Sequence, residues 1–135
     1  MLALGNIFFF VFHTLLIFFN VFGWLWKPTR KWNLLTLLLT AFSWGVMGIW
    51  KGAGYCICTD LHWQIRQAMG IRDNADSYLV LLVQKLSGWN PPIALVNNVA
   101  LTVFLIAFTG SVYTNVRDWR GAQALSLEFP SRPKA

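Results

Sequence analysis

The chain has 135 residues, 56% hydrophobic and 12% charged, with eight Trp, eleven Phe, two Cys and a formal net charge of +6. About a quarter of an ordinary soluble domain is charged, so this composition argues against a soluble domain and for an integral membrane protein. The basic excess then marks cytoplasmic segments; no nucleic-acid-binding motif accompanies it, and two Cys make no disulfide scaffold.

Residues 2–26 carry no charged side chain, and about 20 apolar residues suffice to cross a bilayer core as a helix. The segment lacks the basic n-region and small-residue cleavage site of a signal peptide, so a retained anchor is expected. Asn6, His13 and Asn20 recur at every seventh position. That spacing keeps them near one helix face, drifting by about 20° per heptad.

Lys27-Pro28-Thr29-Arg30-Lys31 interrupts the apolar run, because proline breaks a helix. A second span follows over residues 33–50, bounded by Trp32 and Trp50. It carries a stripe of Thr36, Thr40, Ser43 and Met47, with Gly45 and Gly48 expected to admit a neighbouring helix. A third span is expected over residues 92–116. Pro91 and Pro92 suit its start, Asn98, Thr102 and Thr109 form its polar stripe, and Arg117, Trp119 and Arg120 close it. Polar side chains on such faces hydrogen-bond between helices. Residues 121–135 read as a polar flexible tail.

Between spans two and three, residues 55–89 read as a cap of two short amphipathic helices. In the first, Leu61, Ile65 and Met69 recur every four residues, and Gly70 ends it. Residues 72–76 form a polar turn. The second helix covers residues 77–86, ends at Gly88, and rises only about 15 Å, half a bilayer. The expected fold is thus an all-α membrane domain over residues 1–120, with three spans and this cap. A fourth, short span through residues 78–89 is the alternative.

The stretch Cys56-Ile57-Cys58-Thr59-Asp60-Leu61-His62 raises a chemical question, since Cys56, Cys58, Asp60 and His62 are all metal-binding types at alternate positions. The competing reading is a helix start. Thr59 is expected as N-cap, its hydroxyl facing the His62 N–H, with Asp60 near the positive end of the helix dipole and Arg66 reaching a carbonyl, a carboxylate or a lipid phosphate. The helical reading is preferred, because the spacing matches no common zinc motif. No cofactor is predicted. A membrane haem would need His13 and His62 at one depth, and His62 falls in the cap.

These residues resemble the signature C-P-L-T-x-x-E-x-x-L-R of a family of small bacterial membrane proteins catalogued as a domain of unknown function (DUF2784-like). Cys56, Thr59 and Arg66 match, and Ile65 stands for Leu. Ile57, Cys58 and His62 replace Pro, Leu and Glu. The resemblance extends to His13 in the first span and to Tyr78-Leu79 in the second short helix. It implies architecture rather than an activity.

Lys27, Arg30, Lys31, Arg117, Arg120, Arg132 and Lys134 share one side of a three-span chain, against Lys51, Arg66, Arg72 and Lys85 on the other. The bias expects the N-terminus and cap outside and the C-terminus cytoplasmic, in a bacterial inner membrane. No nucleophile–base pair or phosphate loop is present. A non-enzymatic protein is therefore expected, structural, lipid-contacting or accessory to other membrane subunits. The alternative is a redox or metal-handling protein using Cys56, Cys58 and His62.

Overall fold

Long uncharged runs form long helices here, and most of the described charges also sit on helices, among them Arg30, Asp60, Arg66, Lys85 and Arg117. The computed structural model describes residues 1–51, 55–71 and 77–128, with residues 125–128 by backbone alone. In chain order the α-helices are α1 (Leu2–Phe22), α2 (Arg30–Phe42), α3 (Gly48–Lys51), α4 (Ile57–Ala68), α5 (Tyr78–Ser87) and α6 (Ile93–Glu128). Among the described residues there is no strand. Among the described residues, three helical stretches are long and apolar enough to cross a membrane: Leu2–Leu25, Lys27–Lys51 and Ile93–Ala124. The expected polar turn at 72–76 lies outside the described residues, as do Arg132 and Lys134.

The turn between α1 and α2 is tied by side chains. Thr29 Oγ1 lies 2.6 Å from the Gly23 carbonyl and 2.9 Å from that of Trp26, and Arg30 Nε donates to the Trp24 carbonyl at 3.0 Å. Arg30 Nη1 also reaches Asp118 Oδ2 on α6 at 2.8 Å. Asn115 Nδ2 on α6 donates to the Arg30 carbonyl at 3.1 Å. The end of α1, the start of α2 and the later part of α6 thus meet at one end of the bundle, the basic end.

Close packing at that end needs glycine. A Cβ on Gly23 would lie 2.9 Å from Asn33 Nδ2 and 3.1 Å from Asn33 Cβ, and one on Gly110 would lie 3.2 Å from the Trp24 ring. Gly45, expected to serve this purpose, has nothing within 4 Å of a built Cβ. It sits in a π-helical turn, Ser43–Met47, that joins α2 to α3. Ser43 Oγ donates to the Tyr55 carbonyl at 2.9 Å and ties this turn to the approach to α4.

At the opposite end, α4 lies along the first turns of α1, and α5 packs against the start of α6. Val80 and Leu81 on α5 form an apolar cluster with Trp63, Ile93 and Val96. Gly70, at φ 75°, ends α4. Its N–H bonds the Gln67 carbonyl and the Ile71 N–H bonds that of Arg66, at 2.9 and 3.0 Å, the paired bonds of a Schellman stop. Gly88, also left-handed, ends α5.

Two boundaries differ from expectation. Helix α6 has 36 residues, about 54 Å at 1.5 Å per residue, and runs on to Glu128 where a span ending near 116 and a flexible tail from 121 were expected. Arg117 and Arg120 end the apolar run, but Arg, Gln, Ala and Leu are good helix formers, so charge ends the hydropathy without ending the helix. Helix α4 begins at Ile57, with extended Cys56 as N-cap and no side-chain cap bond. Thr59 is therefore the third helical residue, not the cap. The first turn closes through the Asp60 N–H on the Cys56 carbonyl at 3.0 Å.

The glycine contacts predict a contrast. Gly23→Ala should destabilise the protein by about 1–3 kcal/mol through overpacking. Gly45→Ala should be neutral or stabilising by up to about 1 kcal/mol, the usual gain over helix-interior glycine. Unfolding of both variants in detergent micelles checks this.

Candidate functional site

Helix α4 was expected to turn Leu61, Ile65 and Met69 to the membrane or the span ends. Its most buried side chains are His62 and Arg66, one turn apart, at 0% and 7% exposure. Leu61 is exposed, and Ile65 lies against Gly5. The polar side of the helix is its packed side.

Asn6 on α1 receives that side. Its Oδ1 lies 2.8 Å from His62 Nε2 and accepts from Arg66 Nη1 at 3.1 Å. Because an amide oxygen only accepts, the His62 contact places a proton on Nε2. The His62 ring also stacks near Phe9, with centroids 6.3 Å apart.

One turn further along α1, Tyr78 docks from the first position of α5. Its ring stacks on His13 at 4.0 Å and 2° between planes. Its hydroxyl donates to the Phe10 carbonyl at 2.7 Å and lies 2.7 Å from Thr14 Oγ1. Residues 10 and 14 flank the middle of α1, so the start of α5 reaches the midpoint of the first long helix. Ser77 holds this start as N-cap, its Oγ accepting from the Val80 N–H at 3.3 Å. The His62 ring lies 6.0 Å from the same tyrosine. Asn6, His13, His62, Arg66 and Tyr78 therefore form one polar and aromatic cluster among three helices.

The third member of the expected α1 stripe joins a different partner. Asn20 Nδ2 donates to Thr40 Oγ1 at 3.1 Å, and Asn33 Nδ2 donates to the Phe19 carbonyl at 2.7 Å. Asn33, Ser111 and Thr114 are buried polar side chains that the sequence reading missed. Asn33 was taken as the first residue of an apolar span, though Ser111 and Asn115 stand four apart. On α6 the expected stripe faces outward. Asn98, Thr102 and Thr109 are exposed, and Thr102 Oγ1 only returns to the Asn98 carbonyl at 2.8 Å. The buried side of α6 is Ala107, Ser111 and Thr114, where small side chains admit α2.

The remaining members of the Cys56–His62 stretch are not gathered with His62. Asp60 Oδ2 accepts from Tyr55 Oη at 3.0 Å and from Gln64 Nε2 at 3.3 Å, so Arg66 binds Asn6 rather than Asp60. The Tyr55 phenol is pushed above its usual range, chiefly by that bond to Asp60. Cys56 and Cys58 are free, half-buried thiols. Burial, then the neighbouring Cys56, pushes the Cys58 thiol up, which favours its protonated form. Among the described residues, no group of three or more His, Cys, Asp and Glu is placed to hold a metal.

A family described as a protein of unknown function (DUF2784) matches residues 3–116. The chain belongs to the DUF2784 family. The matched region spans α1 through most of α6, and so contains the whole cluster. No curated protein and no solved structure matches the chain.

Two substitutions separate the cluster from local helix chemistry. Tyr78→Phe in this DUF2784 protein should cost about 0.6–2 kcal/mol, the range for one interhelical hydrogen bond in a membrane protein. Ser77→Ala should cost about 1 kcal/mol as a lost N-cap, whereas Thr59→Ala should show no capping loss. Thermal unfolding of the three variants gives the comparison.

Proposed function

We propose that this chain is a non-enzymatic, multi-pass protein of the bacterial inner membrane, a structural or accessory subunit whose outer surface meets lipid and other membrane proteins. The observation that carries this reading is the distribution of polarity. The buried polar side chains are His13, Asn33, His62, Arg66, Ser111 and Thr114. Ile7, Phe8, Leu15, Leu38, Leu105 and Ile106 are all exposed. A soluble protein of this size hides such residues, while a membrane protein turns them to lipid and keeps polar groups inside.

The polar groups of the cluster support a structural role, because they join one helix to another. Asn6 joins α1 to α4, Tyr78 joins α5 to α1, and Arg30 joins α2 to α6. In this reading α4 and α5 fill the outer half of a three-span bundle. Helix α5 rises from mid-depth to the surface, which its ten residues and about 15 Å allow. The cap and N-terminus face outward and the basic end faces the cytoplasm.

Alkaline carbonate extraction and cysteine labelling test this. In a Cys56→Ser, Cys58→Ser background, an impermeant maleimide should label Asn90→Cys in intact cells and Ala122→Cys only after permeabilisation. The chain should stay with the membrane through the alkaline wash. Release by carbonate would overturn the membrane reading, and the reversed labelling pattern would overturn both the orientation and the three-span topology.

A further inference from the structure

Among the described residues, the basic end of the bundle carries more positive than negative charge. Arg30 is half withdrawn from solvent, at 13% side-chain exposure, and takes the Asp118 carboxylate at 2.8 Å. Lys27, Lys31, Arg117 and Arg120 remain exposed around this pair. Arg117 stands off the same carboxylate at 3.8 Å, and Lys27 lies within its field. Their proximity follows from packing, since Trp24 rests on Gly110 and Asn115 bonds the Arg30 carbonyl. Among the described residues at this end, five cations face one carboxylate.

Two further features describe what would meet those cations. Exposed Trp26, Trp32 and Trp119 lie at the same end, and Trp favours the headgroup level of a bilayer. Phe22, Leu25 and Val116 are also exposed there, and they continue the apolar belt inward. The surface therefore offers positive charge, then amphipathic rings, then hydrocarbon. That order complements an anionic amphiphile, with a phosphate outside and acyl chains within.

We propose that this end is a docking surface for anionic phospholipid, its headgroup phosphate held by Lys27, Lys31, Arg117 and Arg120. Each such charge near an anionic lipid surface multiplies affinity roughly fivefold, and the attraction weakens with salt. Arg120 and Arg117 offer forked donors to phosphate, and the two lysines act as point charges. Arg30 is a positioning residue, because its guanidinium holds Asp118 and the α1–α2 turn. This inference rests on the membrane reading above and adds the lipid class.

The test uses the full chain in nanodiscs of phosphatidylcholine, alone or mixed with phosphatidylglycerol. Melting temperature and the lipids retained in native mass spectrometry are read for wild type, for a Lys27→Gln, Lys31→Gln, Arg120→Gln variant, and for Lys85→Gln at the other end. Phosphatidylglycerol should raise the melting temperature, and the rise should shrink in high salt. Retained lipid should favour phosphatidylglycerol by roughly tenfold or more, as expected for a few such charges. The triple variant should lose most of both effects, and Lys85→Gln should keep them. Equal melting in the two lipids, an undiminished effect in the triple variant, or a matching rise from inorganic phosphate in phosphatidylcholine discs would overturn the lipid proposal. A chain that enters no disc would instead overturn the membrane reading on which it rests.

Discussion

A polar side chain that enters an apolar slab has to find its partner within the protein. In the proposed membrane reading, that constraint organises this molecule. Asn6 presents one amide oxygen on the first turns of α1, and both His62 and Arg66 donate towards it. An arginine withdrawn from water without such a partner would be costly. Helix α4 therefore lies along α1 with its polar side inward, and its apolar Leu61 is left outside. The extended Cys56 before α4 and the stop at Gly70 mark where this helix begins and ends.

The same constraint acts at each level of the bundle with different partners. At the middle of α1 the Tyr78 hydroxyl meets it by bonding the Phe10 carbonyl, while the Tyr78 ring covers His13, whose buried Nδ1 has no hydrogen-bond partner among the described residues. At Asn20 it is met by Thr40, and at the basic end by Arg30 with Asp118. The seven-residue spacing on α1 thus links three different helices in turn, α4, α5 and α2. A core with so few fully buried aliphatic side chains relies on these bonds and on close approaches at Gly23 and Gly110 for its specificity.

The long apolar helices were legible because hydropathy depends on short stretches of sequence. The α1 face was legible too, since Asn6, His13 and Asn20 follow helical geometry. Their partners were not, because His62 and Tyr78 stand 56 and 68 positions from the α1 residues they bond. The four-residue repeat on α4 named its apolar face but not its partner side, which carries His62 and Arg66. On α6 the expected stripe of Asn98 and Thr102 lies outside, and Ser111 and Thr114 are buried instead. Thr59 followed by Asp60 looks like a cap by local chemistry. The contact of Ser43 with the Tyr55 carbonyl fixes the approach, and the helix opens earlier. The resemblance to the DUF2784 family was legible in the sequence, and the family match over residues 3–116 bears it out. The basic end was legible only as a count of charges, since the Arg30–Asp118 pair spans 88 positions.

The central claim is that Asn6 and His62 hold α4 to α1 through a direct bond. A double-mutant cycle on Asn6→Ala and His62→Ala, read as unfolding free energy in bicelles, measures it without attributing each truncation to a single contact. The account predicts a coupling energy of about 1 kcal/mol, within the range for interhelical bonds in membranes. Additive losses, with no coupling between the two sites, would contradict it.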